Sequence, residues 1–271
     1  MSAKKLKIFT RRRVIFAASG VLLAILAASF FCLNPNIDLN SPDTINQENK
    51  ETNVLDIKTD SQNARSYSLD GWDDKNFANK EIIGFIGDSI TFGDPFPHSN
   101  AVQSMIKTLG NKYLYINDGI NGQTTDSYKN VFLPLALNNF QAFKIKNVCI
   151  MLGTNDAREE IQTAPEQYKQ NLRYIINKLK NIGVEKIVLN APPNFETIPG
   201  SWTQNSRKLI QSYADVLDKI ADKKEVFIGD KQAWKTFTNN PKLLYDGLHP
   251  SQEGYKILGE LWASAWKKAV L

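Results

Sequence analysis

Apolar residues are distributed along this chain in three distinct ways. From Val14 to Leu33 twenty residues pass without a charge and almost without polarity, enough to cross a hydrocarbon core of about 30 Å as one helix. From Asn34 to Arg65 the chain turns to Asn, Asp, Gln, Ser, Thr and Lys with scattered aliphatics. No strand or helix period persists there, which predicts a flexible stalk. From Ser66 to Leu271 short apolar runs alternate with longer amphipathic ones, the pattern of a parallel sheet covered by helices.

Within that third region five runs read as buried strands: Ile82–Ile86, Tyr113–Ile116, Val148–Leu152, Ile187–Leu189 and Val226–Ile228. Between the third and fourth, Thr163 and Glu166 have capping-box spacing, and Tyr168, Leu172, Ile175, Ile176 and Leu179 form one apolar stripe before Gly183. A second helix shows Leu209, Ile210, Tyr213, Val216, Leu217 and Ile220 at matching spacing; a last one starts near Ser251 and buries Tyr255, Leu258, Leu261 and Trp262. The expected fold class is therefore α/β, a three-layer α/β/α sandwich on a five-stranded parallel sheet, with an N-terminal transmembrane helix. In such sheets the ligand site lies beyond the carboxyl ends of the strands.

Charge sharpens the view of the ends. The net charge is +5, yet Lys4, Lys5, Lys7, Arg11, Arg12 and Arg13 all fall in the first thirteen residues; without these six the balance is 27 basic to 28 acidic. The domain carries no electrostatic signature of a nucleic-acid partner. Basic residues ahead of an apolar span favour a cytoplasmic head at 1–13, an anchor at 14–33, a stalk at 34–65 and a domain at 66–271 on the far side of the membrane. Cleavage after a signal peptide, at the small residues Ala27-Ala28-Ser29, is the competing reading and would give a secreted domain. Cys32 follows Phe30-Phe31, too bulky for a lipoprotein cleavage site, and Cys149 lies in a buried strand, so no disulfide framework is expected.

Small and polar residues gather after the strands: Gly87-Asp88-Ser89, Asn117 to Gly122, Gly153-Thr154-Asn155-Asp156, and near the end Asp246-Gly247-Leu248-His249. A serine hydroxyl becomes a nucleophile only when a base removes its proton. The chain has two histidines, His98 and His249. His98 sits in a proline-flanked stretch and reads as an exposed loop residue. His249 follows Asp246 by three positions, so that carboxylate can take the Nδ1 proton and leave Nε2 facing a serine. The backbone N–H groups of Ser89 and Gly122 and the amide of Asn155 are suitable donors for an oxyanion, with Gly119 competing for the place of Gly122. Taken singly, each block has a plain reading as a turn or a helix cap.

Together and in this order, Gly87-Asp88-Ser89, Gly122, Gly153-Thr154-Asn155-Asp156 and Asp246-x-x-His249 resemble the SGNH hydrolases, also called GDSL esterases and lipases. The resemblance covers about 200 residues. It implies a flavodoxin-like fold, Ser89 as nucleophile, His249 as base, Asp246 as its orienting acid, Gly122 and Asn155 as oxyanion donors, and no metal or organic cofactor. Ile90 stands where the motif commonly has leucine.

The expected substrate is a carboxylic ester outside the cytoplasm, with acetyl on carbohydrate preferred over lipid or lysophospholipid esters and over acyl transfer to a sugar. Phe92, Phe96, Trp202 and Trp234 could line an acyl or sugar site, although each reads more simply as packing. Two histidines are too few for a two-metal phosphoesterase site. A non-catalytic glycan-binding domain is disfavoured because every residue type that acyl transfer needs is present.

Overall fold

The computed structural model describes Ser66–Tyr67 and residues 80–271. The expected basic head, membrane span and stalk lie outside these residues. Among the described residues no helix is long and apolar enough to cross a membrane.

One sheet contains β1 (Ser66–Tyr67), β2 (Glu81–Gly87), β3 (Tyr113–Gly119), β4 (Asn147–Met151), β5 (Lys186–Leu189) and β6 (Val226–Ile228). Their order is β1-β3-β2-β4-β5-β6, so the chain starts the main sheet in the middle and winds outward both ways. β2 through β6 are parallel, as expected, and give the flavodoxin-like strand order. A two-residue strand, β1, adds an antiparallel edge against Asn117 and Ile116 of β3.

Alternation along the strands explains the layers. In β2, Ile82 and Ile86 join one apolar cluster and Ile83 and Phe85 the other, because successive side chains point to opposite faces. The first face is covered by α4 (Leu133–Ala142), α5 (Pro165–Asn181) and α6 (Gln204–Ile220) through Phe140, Leu172, Ile175, Ile210 and Tyr213. The second is covered by α2 (Ala101–Leu109), α7 (Ala233–Asn239) and α8 (Gln252–Val270) through Val102, Met105, Phe237, Tyr255, Leu258, Trp262 and Trp266. Each such side chain stabilises the domain by roughly 1.5–3 kcal/mol relative to exposure. α8 and α2 touch closely at Gly259, where any Cβ would collide with the Ala101 carbonyl.

Three local expectations need correction. β3 continues to Gly119 rather than stopping at Ile116; Asn117 and Asp118 stay in the strand because their buried side chains bond to the Thr91 carbonyl and to Asn139. The capping box at Thr163 does not form. Pro165 takes the first helical position, where a missing N–H costs nothing, and the cap residue is Ala164. The Thr163 N–H goes instead to the Asp156 carbonyl, and Glu166 pairs with Lys169. In α8, Leu261 is only half-buried, while Trp266, one turn on from the buried Trp262, is fully enclosed.

Candidate active site

β2 ends at Gly87, whose missing side chain is a requirement: a Cβ there would strike Thr91 Oγ1. The chain then turns into α1 (Ser89–Phe92), a single helical turn capped by Asp88, whose Oδ1 accepts the Ile90 N–H at 3.0 Å. Asp88 is fully enclosed; burial pushes its carboxyl up to about 7, against the pull of that N–H. Ser89 therefore stands at the start of a helix on a strand end, the residue only 6% exposed.

The second group arrives from the far end of the sequence. Tyr245 donates its N–H to the His249 carbonyl at 2.8 Å, and a bridge between Leu244 and Pro250 closes the loop between them. Inside this loop Asp246 Oδ1 accepts the N–H groups of Leu248 (3.0 Å) and His249 (2.7 Å). The other oxygen, Oδ2, lies 2.8 Å from His249 Nδ1, and His249 Nε2 lies 2.9 Å from Ser89 Oγ. Partial burial alone would raise the Asp246 carboxyl, but the imidazole and the two N–H donors outweigh it and hold the group below the usual carboxylate range. Ser89, His249 and Asp246 are thus joined in a chain of two hydrogen bonds, across 160 positions of sequence between serine and imidazole. This geometry lets the ring take a proton from Ser89 while the carboxylate holds the other ring proton.

Two more blocks close around the same strand ends. The Gly119 N–H is already taken by Asn117 Oδ1 at 2.9 Å. Gly122 sits in an exposed turn at φ 74°, with open space where a side chain would be. Between the two competitors, Gly122 is the one able to offer its N–H to a ligand. Asn155 is buried and spends one amide proton on the Gln123 carbonyl at 3.1 Å, which links its loop to that of Gly122. The same link is made again by Asp156. Its Oδ2 accepts the Thr125 N–H (2.9 Å) and its Oδ1 the Thr125 hydroxyl (2.5 Å), while Asn171 braces that hydroxyl at 3.1 Å. The carboxyl of Asp156 is wholly enclosed, and burial raises it above the usual range. The sequence marked Asp156 as part of a block but not as the clasp between two loops.

The aromatic candidates separate clearly. Phe92 is buried, and Trp202 packs on the core and donates its indole N–H to the Thr154 carbonyl at 3.1 Å. Trp234 borders a hollow of ≈ 170 Å³ between α6 and the β5 exit. His98 is exposed in its loop, as expected. Phe96 alone meets the Asp246–His249 loop, edge to face with Tyr245. Cys149 is buried, which pushes its thiol far up and keeps it inert. Among the described residues no group of three His, Cys, Asp or Glu side chains is placed to hold a metal ion.

Comparison with known proteins bears on the fold and the family. Over 212 residues the chain is 26% identical to an acetylxylan esterase of Xylanibacter ruminicola, covering 68% of this chain but only 43% of that protein. It is 26% identical over 182 residues to the uncharacterized lipoprotein YqeF of Bacillus subtilis, covering 58% of this chain and 72% of that one. Among solved structures, a catalytic mutant of Axe2, an acetylxylan esterase from Geobacillus stearothermophilus, superposes with a TM-score of 0.55 at 24% identity, over 68% of this chain and 93% of that one; the two share a fold. The family model described as GDSL-like lipase/acylhydrolase matches residues 85–257, from β2 into α8. The chain belongs to the GDSL-like lipase/acylhydrolase family.

Proposed function

We propose that the protein is an extracytoplasmic serine esterase that removes short acyl groups, acetyl foremost, from carbohydrate. The observation that carries the reading is the relay from Asp246 through His249 to Ser89, with contacts of 2.8 and 2.9 Å. In the first half-reaction Ser89 Oγ attacks the ester carbonyl as His249 Nε2 takes its proton, and the oxyanion accepts hydrogen bonds from the N–H groups of Ser89 and Gly122 and from Asn155. His249 then gives that proton to the departing sugar oxygen, which leaves as a hydroxyl. In the second half-reaction His249 activates water, which releases acetate from the acyl-enzyme.

Carbohydrate is favoured because acetylxylan esterase is what the first of the curated relatives is called. The position outside the cytoplasm rests on the charge-then-apolar pattern of residues 1–33, with a lipoprotein among the relatives. p-Nitrophenyl acetate and p-nitrophenyl laurate, assayed side by side with acetylated polysaccharide and lysophospholipid, test the substrate class by released acid. The acetate and the acetylated glycan should turn over faster than their lipid counterparts by about tenfold or more, a difference of roughly 1.4 kcal/mol in barrier. Faster cleavage of laurate and lysolipid would replace this reading with a lipase-type one.

A further inference from the structure

Tyr245 is unusual for a large ring in this domain, being 63% exposed, and it is nevertheless held in place from several directions. Its backbone N–H is bonded to the His249 carbonyl, and it directly precedes Asp246. Its ring meets that of Phe96 at a centroid distance of 5.2 Å and an angle of 85°, a favourable edge-to-face geometry. Phe96 belongs to the loop that leaves the nucleophile's helix. That loop is pinned by bonds from the N–H groups of Gly93 and Asp94 to the Ser89 carbonyl (2.8 and 3.0 Å) and from Phe96 N–H to the Gly93 carbonyl. The Tyr255 hydroxyl from α8 holds the Asp94 carbonyl at 2.6 Å, and the Asp94 carboxylate meets the Asn121 amide, next to Gly122, at 3.3 Å. An open aromatic surface is thus fixed simultaneously to the loops of Ser89, Gly122 and His249.

We infer that Tyr245, backed by Phe96, is the platform on which the sugar ring bearing the scissile acyl group stacks. The inference rests on the esterase reading above and deepens it. A fatty chain is best satisfied by an enclosed apolar slot. A pyranose instead has one C–H face and a rim of hydroxyls, which matches an aromatic ring open to water with a polar tip of its own. The Asp94–Asn121 bridge adds polar atoms to the loops of Ser89 and Gly122. Stacking there holds the sugar beside the imidazole that must protonate its departing oxygen. Tyr245 is a binding residue in this account and moves no proton.

The test compares Tyr245→Ala, Tyr245→Trp and the wild-type chain on two acetate esters, an acetylated xylo-oligosaccharide and acyclic glyceryl triacetate, with light scattering on each protein. In Tyr245→Ala the ratio of kcat/KM on the sugar to that on triacetate should fall about tenfold, mainly through KM, and Tyr245→Trp should restore most of it. An unchanged ratio in Tyr245→Ala, when the wild type does cleave the sugar, overturns the platform while leaving the esterase reading intact. So does a change of oligomeric state in Tyr245→Ala, which would make the ring a contact between copies. A wild type active on triacetate but inert to every sugar acetate overturns the carbohydrate reading and the platform together.

Discussion

Alanine at position 89 is expected to lower kcat on p-nitrophenyl acetate by about 10⁴-fold or more, with the fold unchanged. The magnitude follows from the chemistry, because without Oγ there is no acyl-enzyme, and only the oxyanion donors and substrate positioning remain to help water. The structural cost is small. Ser89 Oγ has His249 Nε2 as its hydrogen-bond partner, so truncation removes one contact and leaves the Asp88 cap of α1 in place. The melting temperature should stay within a few degrees of wild type, about 1 kcal/mol at most. A mutant that keeps more than a tenth of the activity would remove Ser89 from the mechanism.

The second large effect is expected from Asp246→Asn, an almost isosteric change. Asp246 Oδ1 accepts two backbone N–H groups, from Leu248 and His249, so the asparagine carbonyl must take that side. Its NH₂ then faces His249 Nδ1, where Oδ2 stood at 2.8 Å. An NH₂ group can only donate, so Nδ1 must become an acceptor and the ring proton moves to Nε2, facing Ser89. The base is then in the wrong tautomer, and kcat should fall by about 10³–10⁴-fold with little change in KM. Kinetics on purified protein with an unaltered circular dichroism spectrum check this. Loss of less than tenfold would mean that the carboxylate does not set the tautomer.

Much of this architecture was readable from residue order. Parallel strands buried on both faces appear as short apolar runs, and five such runs coincide with β2 to β6. The stripes from Tyr168 and from Leu209 lie on α5 and α6, and Ser251 caps α8. What was hidden depends on partners far away in sequence. Asn117 and Asp118 look like turn residues until the Thr91 carbonyl and Asn139 satisfy them inside the sheet. Asp156 looks like the tail of a turn, because its partner Thr125 is 31 positions away. Thr163 and Glu166 carry a capping signature that Pro165 overrides by claiming the first helical position. A single exposed aromatic such as Tyr245 has no period to betray it. Its tie to the backbone of His249 becomes visible only once the loop closes at Leu244 and Pro250.

The central claim is that His249 makes the oxygen of Ser89 nucleophilic. Fluorophosphonate labelling followed by peptide mapping tests it most directly. The account predicts one adduct per chain, on the peptide containing Ser89, formed at least about 10²-fold more slowly in His249→Ala because the base is gone. A protein that hydrolyses acetate esters while Ser89 stays unlabelled, or that labels equally fast without His249, would contradict it.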